Sequence, residues 1–127
     1  MKLLLDTHVL LWAAVAPHRL GRSLELLTQS RRLISVASVW ELAIKQGLGK
    51  VELGSDVGAW IGRAVSELSA EMLEITAAHA ASVEHLPSVH RDPFDRLLVA
   101  QAAVEGAVLL TADKTLAVYG DMVQVIS

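Results

Sequence analysis

Leu3-Leu4-Leu5-Asp6-Thr7-His8-Val9-Leu10-Leu11-Trp12 decides the fold class. A short apolar run stops at an acid and a threonine, and Val9, Leu10, Trp12 and Ala13 then recur at helical spacing. That pattern reads as a buried strand followed by a helix, and the rest of the chain repeats it. Arg32 to Val36, Met72 to Ile75, Val108 to Thr111 and Val123 to Ile126 read as further strands. Ser23 to Ser30, Ser38 to Gln46, Asp56 to Leu68, Ala77 to Leu86 and Pro93 to Glu105 read as helices, with Lys114 to Tyr119 at most a short one. Pro17, Gly21, Gly47, Gly49, Pro87 and Gly106 punctuate the connections. Parallel neighbours need crossover connections, so strands alternating with helices predict an α/β fold with a mainly parallel sheet covered on both faces. The four- to five-residue apolar strands fit burial on both sides.

The composition agrees with one globular domain over residues 1–127. The chain has 127 residues, 53% apolar and 20% charged, enough to bury a core without disulfide or structural metal. It contains no Cys, which removes a disulfide framework, a thiolate zinc site and a cysteine nucleophile together, and fits a reducing compartment. Lys and Arg number 11 against 14 Asp and Glu, for a formal net charge of -3. Such a chain does not coat nucleic acid by bulk charge; it handles a polyanion only where local arginines or bound cations reverse the field. The mean hydropathy of +0.45 is high for so small a chain, yet no apolar run approaches the ~20 residues of a membrane span, so some apolar surface is expected to face a partner. Lys2, the run Val9 to Ala16 and the Ala14-Val15-Ala16 spacing imitate a signal peptide, but Asp6 and His8 interrupt its apolar region. The expected location is the cytoplasm.

The six aspartates are informative by placement. Asp6 follows the first strand and Asp113 follows Val108-Leu109-Leu110-Thr111-Ala112, so both stand at carboxyl ends of strands, where open α/β sheets bind ligands. Each also suits a helix N-cap. Glu41 lies in Ser38-Val39-Trp40-Glu41, which reads either as a capping box closed on the Ser38 amide or as an acid aimed from the first helical turn into the same cleft. In Asp92-Pro93-Phe94-Asp95, Asp92 before proline is a good N-cap. Asp95 then projects from the first turn beside the apolar stripe Phe94, Leu97, Leu98 and Ala102.

Asp6, Glu41, Asp95 and Asp113 thus come from four segments whose ends can meet at one sheet edge. Four acids without interleaved lysines repel one another and persist as a cluster only when a cation neutralises them. Oxygen ligands alone, with no Cys and no His pair at metal-binding spacing, select a hard ion, Mg²⁺ or Mn²⁺. Hydrolysis of a phosphodiester by metal-activated water is the matching chemistry.

These residues also carry a family pattern. Leu4-Leu5-Asp6-Thr7-His8-Val9-Leu10-Leu11-Trp12, Ser38-Val39-Trp40-Glu41-Leu42-Ala43-Ile44-Lys45, His90-Arg91-Asp92-Pro93-Phe94-Asp95-Arg96-Leu97-Leu98-Val99-Ala100-Gln101-Ala102 and Leu110-Thr111-Ala112-Asp113 resemble, in order, the PIN domain in its VapC-like toxin subgroup. The resemblance spans nearly the whole chain. It implies a Rossmann-like three-layer α/β/α sandwich, an Mg²⁺- or Mn²⁺-dependent endoribonuclease acting on RNA, a homodimer, and inhibition by a cognate VapB-like antitoxin. Position by position it implies that Asp6, Glu41, Asp95 and Asp113 are the catalytic and metal-binding acids. Thr7 matches the family's companion hydroxyl, and Thr111 stands where a site hydroxyl is often found.

Some positions carry two readings. His8, where many relatives have Asn or Ser, either touches the site or is a helix-start residue facing solvent. Asp92 belongs to the pattern yet is explained by its cap. His90, Arg91 and Arg96 either meet phosphate or form a solvated loop with a surface ion pair. Trp12, Trp40 and Trp60 suit core or dimer surface better than base stacking, and Trp12 and Trp60 favour self-association. Among rivals, a haloacid dehalogenase phosphatase needs a second Asp where His8 stands, and a response-regulator receiver needs a phosphoacceptor Asp where Thr76 follows Ile75. A catalytically inactive PIN-like module that binds RNA or protein is the remaining alternative, and four retained acids argue against it.

Overall fold

The computed structural model describes residues 1–88 and 92–126. Five strands form one sheet: β1 (Lys2–Leu5), β2 (Arg31–Ser35), β3 (Glu71–Leu73), β4 (Val108–Thr111) and β5 (Val123–Val125). Their order is β3-β2-β1-β4-β5, and every adjacent pair runs parallel. The expected mainly parallel sheet is therefore wholly parallel. Register explains why the central strands are apolar throughout. Leu4 stands opposite Leu33 on one side and Leu109 on the other, while Leu5 pairs with Ile34 and Leu110. Successive side chains alternate between faces, so Leu3, Leu5, Ile34 and Leu110 enter one core and Leu4, Leu33 and Leu109 the other.

Helices cover both faces. On the first lie α1 (Thr7–Val15), α2 (Ser23–Thr28) and α4 (Val57–Glu67), which bring Val9, Leu10, Leu27, Trp60, Ile61 and Ala64. On the second lies α6 (Pro93–Glu105), with Leu98, Val99 and Ala102, and α5 (Ala77–Ser82) packs against it. The helix α3 (Val36–Gly47) contributes Leu42 to the first core and Ala37 to the second, so it spans the carboxyl edge of the sheet between the two layers. The result is the three-layer α/β/α sandwich.

Two departures from the sequence reading bear on the site. The strand before α3 ends at Ser35, whose hydroxyl accepts the Ala37 amide as N-cap, so the helix starts before Ser38. Ser38 is then inside the first turn, and the capping box between Ser38 and Glu41 does not form. The reason is competition for the cap: Ser35 stands at the strand end in extended conformation, which an N-cap requires. The segment after Ala77 is also shorter than expected. It leaves the α conformation at Ser82 and continues as a 3-10 turn, Val83–His85.

A buried polar network ties these elements together. Gln101 of α6 is fully buried, accepts the Ser35 hydroxyl at 2.5 Å and donates to the Glu74 carbonyl at 3.2 Å. Its amide also lies 3.3 Å from Nδ1 of the buried His79, which accepts the Thr76 backbone amide, while the far side of the ring meets Glu105 at 2.8 Å. The cap of α3, the start of α5 and the middle of α6 are thereby locked to one another.

Candidate active site

The acids come from the junctions that end β1 and β4 (Asp6 and Asp113), from the start of α6 (Asp92 and Asp95) and from within α3 (Glu41). Asp6 closes β1: its backbone amide continues the ladder to the Leu110 carbonyl, and its side chain caps α1 through the Val9 amide at 2.8 Å. Asp113 follows β4 and accepts both the amide and the hydroxyl of Thr115, capping the 3-10 segment Lys114–Met122. Asp92 caps α6, accepting the Phe94 amide at 2.9 Å and the Asp95 amide at 3.3 Å, with Pro93 in the first helical position. Asp95 stands in the first turn of that helix, and Gly106, at a left-handed φ of 64°, ends it.

These junctions open into one cavity of about 500 Å³. Asp6, Glu41, Asp92, Asp95 and Asp113 line it, with Thr7, His8, Trp12, Lys45 and Ala112 completing the wall. All four predicted acids are thus brought together, Asp92 with them. Thr111 supports the floor: fully buried, its hydroxyl donates to Asp6 and accepts the Asp113 amide. Burial holds the Asp6 carboxyl above its usual range, against the lowering effect of the Thr111 hydroxyl, the Val9 and Ala112 amides and the nearby His8.

Glu41 is buried and held on both oxygens. Oε1 accepts the Thr7 hydroxyl at 2.6 Å and Oε2 accepts the Lys45 ammonium at 2.7 Å. The Thr7 and Ser38 hydroxyls lie 3.0 Å apart beside them. Among the described residues no three His, Asp or Glu side chains are grouped as a ready-made set of metal ligands. Both oxygens of Asp6 and of Glu41 accept hydrogen bonds from protein groups. As chemistry, the donor set still fits a hard cation, since every lining ligand except His8 offers oxygen.

Other predicted residues fall elsewhere. Arg96 donates to the Pro87 and Val83 carbonyls and to the Tyr119 hydroxyl, which anchors the start of α6 and leaves it outside the cavity lining. His90 and Arg91 lie outside the described residues. His8 is exposed at the cavity rim, 6.3 Å from Trp12 between ring centroids. Trp12 is half-buried in the wall with the Arg19 guanidinium over its ring at 4.3 Å. Trp60 is a core residue, so the expectation that it lies on a self-association surface is corrected; the exposed tryptophan is Trp40, at 58%. Sequence reasoning overlooked Lys45, although its position four residues after Glu41 on one helix was the available signal.

Comparison with known proteins agrees with this fold. The structure superposes on VapBC2 from Rickettsia felis bound to a promoter DNA fragment, with a TM-score of 0.74, 17% identity and full coverage of both chains. It also superposes on DNA-bound VapBC from Salmonella typhimurium, with a TM-score of 0.71, 18% identity, and coverage of 100% of this chain and 99% of that one. In sequence it is 31% identical over 116 residues to Ribonuclease VapC22 of Mycobacterium tuberculosis, covering 89% of this chain and 88% of the relative. Residues 3–121 match the PIN domain. With the acids of four segments gathered at the carboxyl edge of a parallel five-stranded sheet, the chain belongs to the PIN domain family.

Proposed function

We propose that this protein is a divalent-metal-dependent endoribonuclease, the toxin of a VapBC-type pair, with Asp6, Glu41, Asp95 and Asp113 as its catalytic acids. The observation that carries the reading is the single cavity at the carboxyl edge of the sheet, where acids from four segments converge. The likeness in sequence to Ribonuclease VapC22 supports the reaction and its RNA substrate. Asp6, Glu41, Asp95 and Asp113 would hold Mg²⁺ or Mn²⁺, with Asp92 and the Thr7 and Thr111 hydroxyls in support. When bound, the ion supplies Lewis-acid activation of the attacking water and charge stabilisation at the phosphate. The protein's own part is orientation. Thr111 and the Val9 amide hold Asp6 in one orientation, and Thr7 holds one oxygen of Glu41.

A VapB-like antitoxin is the proposed partner, on the same likeness and on the fold shared with the two VapBC complexes. The ridge of Trp40, Ile44 and Leu48, exposed along α3, supports self-association as a homodimer. Among the described residues no helix is long and apolar enough to cross a membrane, and the cytoplasm is the proposed compartment. The experiment is cleavage of RNA by protein purified free of host nucleases. Activity is expected with Mg²⁺ or Mn²⁺, is lost to chelator, and falls at least ~100-fold in Asp6→Asn. RNA binding without cleavage under all metal conditions would instead select the inactive binding module, and undiminished cleavage by Asp6→Asn would refute the site.

A further inference from the structure

Among the described residues that line the acidic cavity, Lys45 brings an ammonium. Its ammonium, 2.7 Å from Glu41 Oε2, is not an ordinary surface pair. The glutamate side chain is 10% exposed and the lysine 36%, and both line the cavity rather than the solvent face of α3. Because Thr7 occupies the other oxygen of Glu41 at 2.6 Å, the ammonium completes the carboxylate's set of partners. A hard cation binds a carboxylate oxygen at close range, about 2.0–2.1 Å for Mg²⁺. A divalent ion sharing Oε2 with the ammonium would face its positive charge only a few ångströms away, so the two cations repel and each weakens the other's hold on Glu41.

We propose that Lys45 is a positioning residue that acts as a tethered counter-cation: it holds Glu41 in the metal-free protein and competes with the divalent ion for it, setting the metal affinity of the site. The inference rests on the reading of the cavity as a divalent-metal site and adds a residue that regulates it.

The sign of a binding change tests it. Lys45→Met removes one positive charge from the cavity and frees Oε2, so Mn²⁺ should bind about tenfold more tightly than to wild type. Binding is read from free Mn²⁺ by electron paramagnetic resonance, which does not depend on turnover. Lys45→Arg keeps the charge and should restore wild-type or weaker affinity, which a merely structural role for the lysine stem would not produce. Metal-free Lys45→Met should melt lower than wild type and gain more on adding Mn²⁺, because the acids lose their counter-charge. If Lys45→Met does not fold by far-ultraviolet circular dichroism, Lys45→Gln serves the same comparison. Unchanged or weaker Mn²⁺ binding in a folded neutral variant, with wild type binding normally, overturns the inference alone. No Mn²⁺ binding by wild type overturns the metal reading of the cavity together with it.

Discussion

Replacing Glu41 by Gln separates what this residue does for the fold from what it does for a metal. In the metal-free protein Gln keeps an oxygen for the Thr7 hydroxyl but turns an amide toward Lys45, so the bond to the ammonium is lost. The lysine side chain is 36% exposed and its head can turn to water, so the loss resembles that of a partly exposed i,i+4 pair, about 0.5 kcal/mol. With an unfolding entropy of about 2.1 cal/mol/K per residue, this 127-residue chain shifts by about 4 °C per kcal/mol, so the metal-free Tm should fall by only about 2 °C. The metal response is a different matter. A ligand present at 100 times its Kd adds about 2.7 kcal/mol, or roughly 10 °C, and each tenfold loss of affinity removes about 1.4 kcal/mol of that. An amide is a poor ligand for a hard cation, so the increment should drop to about half or less in Glu41→Gln. Thermal unfolding followed by circular dichroism, with and without Mn²⁺, measures both quantities on the same sample. A wild-type Mn²⁺ increment in Glu41→Gln would refute the metal role of Glu41. A metal-free loss above about 6 °C would show that the carboxylate is structural.

Three further outcomes follow from the same contacts. Because burial raises the Asp6 pKa above 3.8, the folded chain binds more protons than the unfolded chain between 3.8 and the native value. Stability of the metal-free protein is therefore lost as pH rises through that window and stays lost above it, so Asp6→Asn should gain Tm relative to wild type from about pH 4 upward and not below; the reverse trend would show that ionised Asp6 is stabilised by the fold. Asp92→Ala removes an N-cap that accepts two amides and should cost ~0.5–2 kcal/mol in chemical denaturation with or without metal, while the Mn²⁺ increment survives; loss of that increment would move Asp92 into the ligand set. Gln101→Leu strips partners from the buried Ser35 hydroxyl and Glu74 carbonyl and should cost at least about 2 kcal/mol in urea unfolding, and a cost below about 0.5 kcal/mol would mean that the network is dispensable.

The long apolar signals were legible in sequence, and the local contests were not. Pro93–Glu105 and Val108–Thr111 have the bounds read from Pro93, Gly106 and the apolar run between Val108 and Leu110, because each end carries a strong chemical stop. The start of α3 could not be read in the same way. Ser35 and Ser38 are both competent caps, and only the register of β2 against β1 and β3 decides that the chain is still extended at Ser35. The network of His79, Gln101 and Ser35 depends on side chains up to 66 residues apart, so periodicity holds no trace of it. Lys45 was hidden for the opposite reason: an i,i+4 Glu–Lys pair is so common on solvated helices that its place in a cavity wall shows only in three dimensions.

The sequence left Asp6, Asp92 and Asp113 each poised between a helix cap and a site acid, and in the structure each is a cap that also lines the cavity. A carboxylate has two oxygens. Asp6 gives Oδ1 to the Val9 amide and Oδ2 to Thr111, while the caps at Asp92 and Asp113 are formed through Oδ1. At Asp6 and Asp113 the cap is also where the chain leaves the carboxyl end of a strand, the edge of a parallel sheet where ligands collect. Capping fixes the rotamer of the acid, and the fixed rotamer presents the carboxylate to the cavity. The two roles reinforce each other at Asp6, where the strand end, the cap and the Thr111 hydroxyl leave the side chain a single orientation. Glu41 differs because it stands within a helix rather than at its end, and no backbone amide holds it. Thr7 and Lys45 do that work with side chains, so the orientation of this acid depends on a neighbouring helix start and on a cation four residues along its own helix.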